Sequence, residues 1–359
     1  MIFIHAVSSP GEIRVAVTDS GRLLDFSIFR RGAPDGVGDI LRGRVISMVP
    51  AMGGAFVRLP DAEGFLPDSE GAAGLSEGMS IGVRITRAAQ GGKGPRLSAR
   101  LEAAVPGGPV ALLTRGPGPV ERFSRLYPEA SIFADDPALV AELRPILGER
   151  ISIRREKLED ALENAIDALT RTDAELPGGA RMSVWPTPAL VAIDIDAGRA
   201  TAARGQKAVS QMSLNRAAIP AIVAQIRLRN LSGAILIDFA GMKTSRRLAL
   251  GPAFAEALAA DPLRPRFLGF TALGLAEISR PRIHPPLHEL LTGPHAAGLR
   301  GLRAMMAEPA RNQTLVASPA IMSALTADTV ALDDFPRMTG RRAILRSDPG
   351  LSGWRLEDG

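Results

Sequence analysis

The chain has 359 residues, a mass of 37.8 kDa and 46% hydrophobic residues, enough for two or three domains with real cores and too apolar for a disordered chain. It contains no cysteine, which excludes disulfide frameworks and thiolate zinc sites, and no run approaches the roughly 18 apolar residues of a membrane span. With 43 Lys and Arg against 38 Asp and Glu, the net charge of +5 and the pI of about 10.3 permit a polyanionic partner without requiring one. The opening MIFIHAVSSPGEI has neither the basic flank nor the long apolar core of a signal peptide. A soluble, cytoplasmic chain without a membrane partner is the expectation.

Residues 1–37 alternate in strand fashion (MIFIHAV, EIRVAVTD, RLLDFSIF) with turns at Ser8–Gly11 and Asp19–Gly21, an antiparallel meander too small to fold alone. Residues 38–100 carry short strands separated by glycine turns (DILRGRVISMVPAMGGAFVRLPDAEGFLPDSE, then GMSIGVRITRAAQGGKGPRLSAR), which predicts a small β-barrel. Phe56 and Phe65 have two readings within it, as core residues or as exposed aromatics beside cations. On the residues alone, core is the better reading of either. Lys93 in GGKGP lacks the Lys-Ser/Thr of a Walker loop. The Gly- and Pro-rich 101–115 reads as a linker, after which VERFSRLYPEASIFADDPALVAELRPIL predicts helix, strand, helix. EKLEDALENAIDALT, from Glu156, is an amphipathic helix, and ELPGGA a hairpin turn.

The centre of the chain lies at 188–239. Apolar runs at Leu190–Ile195 and Ala234–Phe239 bracket a helical pattern with Ile219, Ile222, Val223 and Ile226 on one face. Such a strand–helix–strand crossover makes the two strands parallel, and places Asp194 and Asp238 at one edge of the sheet, about 4.8 Å apart if the strands are adjacent. Asp196 projects to the same face as Asp194, so three carboxylates are expected to converge. Carboxylates that close repel one another, and oxygen-only ligands favour a hard cation such as Mg²⁺. The plainer alternative is that each Asp serves a turn or a helix cap.

Beyond Phe239, GMKTSRRLALGPAFAEALAAD predicts a helix and RFLGFT a third strand, while AEISRPRI is polar and positive at Arg280 and Arg282. His284, His288 and His295 do not form a metal site by pattern, because Pro285 and Pro286 break the helix that would align the first two. No Ser-His-Asp arrangement is evident. Toward the C-terminus LVASPAIMSAL reads as a strand end into a helix, and RRAILRSD and GWRLEDG as strands.

LVAIDIDAGRAT followed by QIRLRNLSGAILIDF, with LAEISRPRIHPPL downstream, closely resembles the catalytic segment of the bacterial ribonuclease E/G endoribonucleases. The resemblance implies a multidomain α+β and α/β chain. Residues 1–37 with 116–170 would form a ribonuclease-H-like subdomain, and 38–100 an inserted OB-fold RNA-binding barrel. A DNase-I-like α/β catalytic domain would follow at 171–295, and a small C-terminal α/β domain at 296–359. It further implies that Asp194 and Asp238 bind a catalytic Mg²⁺, and that Phe56 and Phe65 stack on RNA beside the basic Arg87 and Lys93. Arg199, Lys243, Arg246, Arg247, Arg280 and Arg282 become candidates for phosphates near the metal, each reading equally well as a solvated surface charge.

Several departures stand out. The family's Asn two residues beyond the first Asp is Asp196 here, and a further acidic residue three beyond the second Asp is Gly241. The linker 101–115 stands where ribonuclease E carries a sensor of monophosphorylated RNA 5′ ends; Thr114-Arg115 reverses that domain's Arg-Thr motif. LLTGPHAAG replaces the cysteines of the family's zinc link, leaving the small domain as the surface for a homodimer. The implied activity is Mg²⁺-dependent hydrolysis of single-stranded RNA, from ribosomal precursors or messengers, leaving a 5′ phosphate and a 3′ hydroxyl. Two competing readings are an RNA-binding protein of nuclease ancestry with reduced catalysis, and a structural assembly factor. Carboxylates at both metal positions favour the nuclease.

Overall fold

The computed structural model describes residues 1–154, 160–196, 207–239, 241–307 and 313–358. The meander forms as the alternation predicts: β1 (Ile2–Ser9), β2 (Glu12–Asp19) and β3 (Arg22–Arg30) pair antiparallel. Its first turn needs glycine twice over. Gly11 has φ of 74°, and a Cβ there would lie 2.6 Å from the Ala331 side chain, so the hairpin tip abuts the C-terminal domain.

β4 (Ile40–Val49), β5 (Gly54–Arg58), β6 (Glu63–Pro67), β7 (Ser80–Arg87) and β8 (Arg96–Ser98) run in the order β5-β6-β8-β7-β4, and β4 pairs back onto β5. This closure makes an OB-like barrel, filled by Leu41, Val45, Ala55, Val57, Leu66, Val83, Ile85 and Leu97. The predicted linker is partly ordered into it. β9 (Ala111–Thr114) pairs with Ile40–Arg42, next to the stretch of β4 that β5 covers, and Arg115 clamps the buried Asp39 at 2.6 Å. An unpaired strand edge in reach recruited a segment whose glycines and prolines suggested only a connector.

α1 (Pro119–Leu126), β10 (Ser131–Ala134), α2 (Pro137–Leu147) and β11 (Ile151–Ile153) follow in the predicted order. β10 lies parallel to β1 and β11 parallel to β10, so residues on both sides of the barrel share one sheet, β11-β10-β1-β2-β3. α3 (Asp160–Ala168) packs Leu162 and Ile166 against Phe26 and Ile28 of that sheet.

The second large sheet contains β12 (Asp173–Glu175), β13 (Arg181–Pro186) and β14 (Val191–Asp196). α4 (Lys207–Leu228) then leads to β15 (Gly233–Asp238). α4 buries Ile219, Ile222, Val223 and Ile226 against the sheet, the face its period predicts. The expected single helix after Phe239 is broken into α5 (Thr244–Arg247), a 3₁₀ turn at Leu248–Leu250 and α6 (Gly251–Ala259). Pro252 explains the break: it suits the first turn of α6 and lacks the N–H that would continue a helix from upstream. β16 (Arg266–Phe270) is the predicted third strand, but it does not neighbour β15. β17 (Ala276–Arg280), read from sequence only as a polar stretch, inserts between them, giving β12-β13-β14-β15-β17-β16.

α7 (Leu287–Leu291) and α8 (Gly293–Ala307) lead to β18 (Gln313–Ala317), α9 (Pro319–Ala327), α10 (Thr329–Thr339), β19 (Ile344–Ser347) and β20 (Trp354–Asp358). Their sheet, β19-β18-β20, encloses a small core with Leu302, Leu315, Leu325 and Phe335. This unit docks on the first: Arg337 grips Asp136 through two bonds of 3.1 and 3.0 Å, and Arg303 reaches the buried Glu12 at 3.2 Å. Among the described residues no helix is long and apolar enough to cross a membrane.

Candidate active site and nucleic-acid interface

β14 and β15 are adjacent and parallel, and Asp194 stands in register with Asp238. Both side chains are exposed while Ile193, Ile195, Ile237 and Phe239 around them are buried. The pleat therefore aims each carboxylate off the sheet edge, and the buried neighbours fix its direction. Asp238 receives Arg247 Nη1 at 2.8 Å. That guanidinium also donates to the carbonyls of Gly274 (2.7 Å), Phe239 (3.0 Å) and Met242 (3.1 Å). Arg247, considered from sequence as a phosphate contact, is thus a rivet that fastens two loops and holds Asp238. Among the described residues Asp194 forms no ion pair, so the juxtaposed pair retains negative charge.

The expected convergence of three carboxylates does not occur. Among the described residues no three acidic or histidine side chains gather closely enough to hold a metal ion. Asp196 lies two residues further along β14, opposite Arg181 of β13, and its step along the strand of about 6–7 Å carries it past the pair. Gly241 has φ of 63°, and a Cβ there would run into the Gln211 side chain. An acidic residue at that position would be strained by the backbone and would require the Gln211 side chain to move. Two in-register carboxylates nonetheless suit Mg²⁺, which takes oxygen ligands, keeps several waters and commonly binds one or two protein carboxylates beside a phosphate.

The histidines are each engaged or apart: His284 Nδ1 lies 2.6 Å from Asp35, His295 Nε2 lies 2.8 Å from Asp328, and His288 is elsewhere. No histidine joins the carboxylate pair.

The positive residues divide. Lys243 is exposed on the loop after β15 and Arg246 is exposed on α5, both close in sequence to Asp238. Arg199 lies outside the described residues. Arg280 is not a phosphate contact. It is 4% exposed, pairs with Asp261 at 2.7 Å, and donates to Asn230 Oδ1 (2.8 Å) and the Leu231 carbonyl (3.1 Å). Its side chain alternates inward with Ala276 and Ile278 on β17, the consequence of the strand that the sequence reading missed. Arg282 packs over Gly233 at the start of β15, five residues and about 16 Å of strand from Asp238. It therefore stands near the opposite sheet edge, not beside the carboxylates.

Arg282 belongs instead with the barrel. Phe56 and Phe65 are register partners on β5 and β6, half-buried, with ring centroids 5.6 Å apart at 64°. They point away from the core, because Ala55, Val57 and Leu66 occupy the inward positions. Phe65 is paired to Arg96 on β8, which in turn pairs with Arg87 on β7. Burial, then the positive charges of Arg96 and Arg282, push Arg87 below the usual arginine value. Cations crowded beside half-buried rings at the surface are relieved by a polyanion. Arg96 was missed in sequence, where only its position after a Gly-Pro turn marked it. Lys93 is exposed at the β7–β8 tip, where Gln90 and Lys93 bridge. The tip is moored to the second large sheet's segment by Ala88 N–H donating to Ile283 O (2.8 Å) and Gly91 N–H to Glu289 (3.3 Å).

Comparison with known proteins gives one family match: the model of the ribonuclease E/G family covers residues 134–283. Ribonuclease E of Nostoc sp. is 36% identical over 139 residues, 38% of this chain and 20% of the relative. Ribonuclease E of Escherichia coli is 35% identical over 129 residues, 36% of this chain and 12% of the relative. Ribonuclease G of Haemophilus influenzae is 25% identical over an alignment spanning 79% of this chain and 80% of the relative. The chain thus spans a fifth or less of the ribonuclease E relatives it matches and most of the ribonuclease G relative.

Proposed function

We propose, because this chain belongs to the ribonuclease E/G family, that it is an endoribonuclease that cleaves single-stranded RNA by Mg²⁺-assisted hydrolysis, acting on ribosomal precursors or messengers. The observation that carries the reading is the register pairing of Asp194 with Asp238 at one exposed sheet edge. These two carboxylates would hold the ion, which when bound supplies a polarised water and compensates charge on the phosphate. Arg247 keeps the Asp238 carboxylate fixed before substrate arrives, so little reorganisation is required. Lys243 and Arg246, exposed nearby, would take the phosphates flanking the scissile bond. The barrel would hold the strand by stacking bases on Phe56 and Phe65 while Arg87, Arg96 and Arg282 take its phosphates.

The direct test is incubation of an end-labelled, A/U-rich RNA with the purified chain. Internal cuts with Mg²⁺ and none with EDTA are expected; binding without cutting in Mg²⁺ would move the assignment to an RNA-binding protein of nuclease ancestry. Phe56→Ala and Phe65→Ala should each weaken RNA binding by about 1–3 kcal/mol, the usual worth of one stacked base. Filter binding measures this, and undiminished affinity in the double variant would remove the barrel from the RNA path. Finally, β9 and Arg115 occupy the connector as structural parts of the barrel, which supports cleavage that ignores the 5′ end. Equal rates on 5′-monophosphorylated and 5′-hydroxyl RNA are expected, and a large preference for the former would contradict it.

A further inference from the structure

A cavity of about 370 Å³ lies away from the carboxylate pair, where the first sheet, the second sheet and the C-terminal unit meet. Arg14 of β2, Arg171 after α3, Arg229 after α4, and Arg300 and Arg303 of α8 line it, together with His288 of α7 and one carboxylate, the exposed Asp167 of α3, whose charge acts on Arg303. Two of the arginines have a local partner, since buried Glu12 accepts from Arg14 and from Arg303, each at 3.2 Å. Others do not. Arg229 is 6% exposed, yet its guanidinium meets only neutral acceptors: Gln225 Oε1 at 2.9 Å, the Ala168 carbonyl at 3.4 Å and the Arg171 carbonyl. Arg300 donates to the Leu291 carbonyl at 2.6 Å. Neither has a carboxylate within ion-pair distance among the described residues. Asp173, which acts on Arg229 from further away, is already bonded to Ser183 at 2.7 Å and near Arg181 at 3.8 Å.

A buried guanidinium without a counter-ion is costly, and buried charges in proteins are normally paired. Beside these arginines His288 Nδ1 is buried with no hydrogen-bond partner. Burial holds His288 below the usual imidazole value, and Arg229 below the usual guanidinium value. Both would be relieved by an anion in the cavity.

We propose that this cavity binds a small organic phosphomonoester. Guanidiniums arriving from several directions match a phosphate with three exposed oxygens better than a planar carboxylate. Leu169, Leu231 and Leu291 supply an apolar wall for the organic part. The volume lies within the range of small-molecule pockets, about 300–1,000 Å³, and suits a single compact ligand rather than a length of RNA. Arg14, Arg229 and Arg300 belong to three different units, so one bound molecule ties all of them together. It is therefore a stabilising effector, present in the folded chain only.

The test uses the full chain, with adenosine 5′-monophosphate as the probe and adenosine as the control without phosphate. Calorimetric titration should give saturable binding of the monophosphate and none of adenosine, with a rise in the thermal midpoint that follows ligand concentration. Arg300→Gln and the exposed Arg171→Gln, the latter safe for folding, should each weaken binding at least tenfold. Phe56→Ala and Asp238→Asn should leave it unchanged. No binding of the monophosphate at millimolar concentration would overturn the proposal. So would binding that Asp238→Asn or Phe56→Ala abolishes, which would place the probe on the RNA surface. A 5′-phosphorylated oligonucleotide that displaces the monophosphate, and itself needs Arg300 and Arg171, would reassign the cavity to RNA.

Discussion

Asp194→Asn and Asp238→Asn are each expected to lower RNA cleavage by about 10²–10⁴-fold, the rate equivalent of the several kcal/mol that a metal-bound charge contributes in the transition state. The two positions are side by side in register, so neither replacement can be compensated by the other carboxylate alone. Both side chains are exposed, and amide is isosteric with carboxylate, so thermal stability should change little. RNA binding should persist because the barrel face is untouched. Quenched-flow or gel assays of cleavage, run beside filter binding and thermal unfolding, separate these effects. Full cleavage by the double variant would remove the pair from the chemistry. Arg247→Lys provides a finer test: a lysine cannot span Asp238 and the three carbonyls of Gly274, Phe239 and Met242 together. It should lower kcat with little change in RNA affinity.

Arg280→Leu should destabilise the chain by about 3–5 kcal/mol, because it strands the Asp261 carboxylate in the interior. Asp261 and Arg280 are among the most buried charged residues, and every polar contact of the guanidinium goes to the protein: Asp261, Asn230 and the Leu231 carbonyl. At about 2–4 °C per kcal/mol for a domain of this size, the thermal midpoint should fall by about 6–20 °C. Arg282→Gln offers the contrast. It should leave the midpoint nearly unchanged, weaken RNA binding and reduce the salt slope of binding by about 1. An Arg280→Leu chain of native stability but impaired RNA affinity would restore the phosphate-contact reading of Arg280.

The strand–helix–strand at 188–239 was legible because its two periods, alternating and helical, are local properties of the chain, and a right-handed crossover makes parallel neighbours of its strands. That alone brings Asp194 beside Asp238. The barrel strands and the helix–strand–helix after them follow from the same local alternation, whereas the helix expected beyond Phe239 is interrupted before Pro252, a break the apolar period does not report. The family resemblance rested on the same central segment that the family match covers.

Other features depended on what lies opposite each residue. AEISR carries the alternation of a strand, but its place between β15 and β16, and so the burial of Arg280, is set by pairing partners distant in the chain. Arg247 could serve a phosphate or a carboxylate on sequence; three loop carbonyls and Asp238 converging on it settled its role. Phe56 and Phe65 read as core on the residues alone and as RNA-stacking by the family resemblance; barrel closure gave the inward positions to Ala55, Val57 and Leu66 and left both rings on the outer face. The sequence by itself therefore determined most of the elements, the carboxylate pair and the family resemblance, because hydrophobic period and strand ends are encoded over a few residues. The tertiary structure alone decided which arginines face solvent, which are rivets and which line the shared cavity. Charge carries no period, and the partner that fixes each guanidinium comes from another part of the chain.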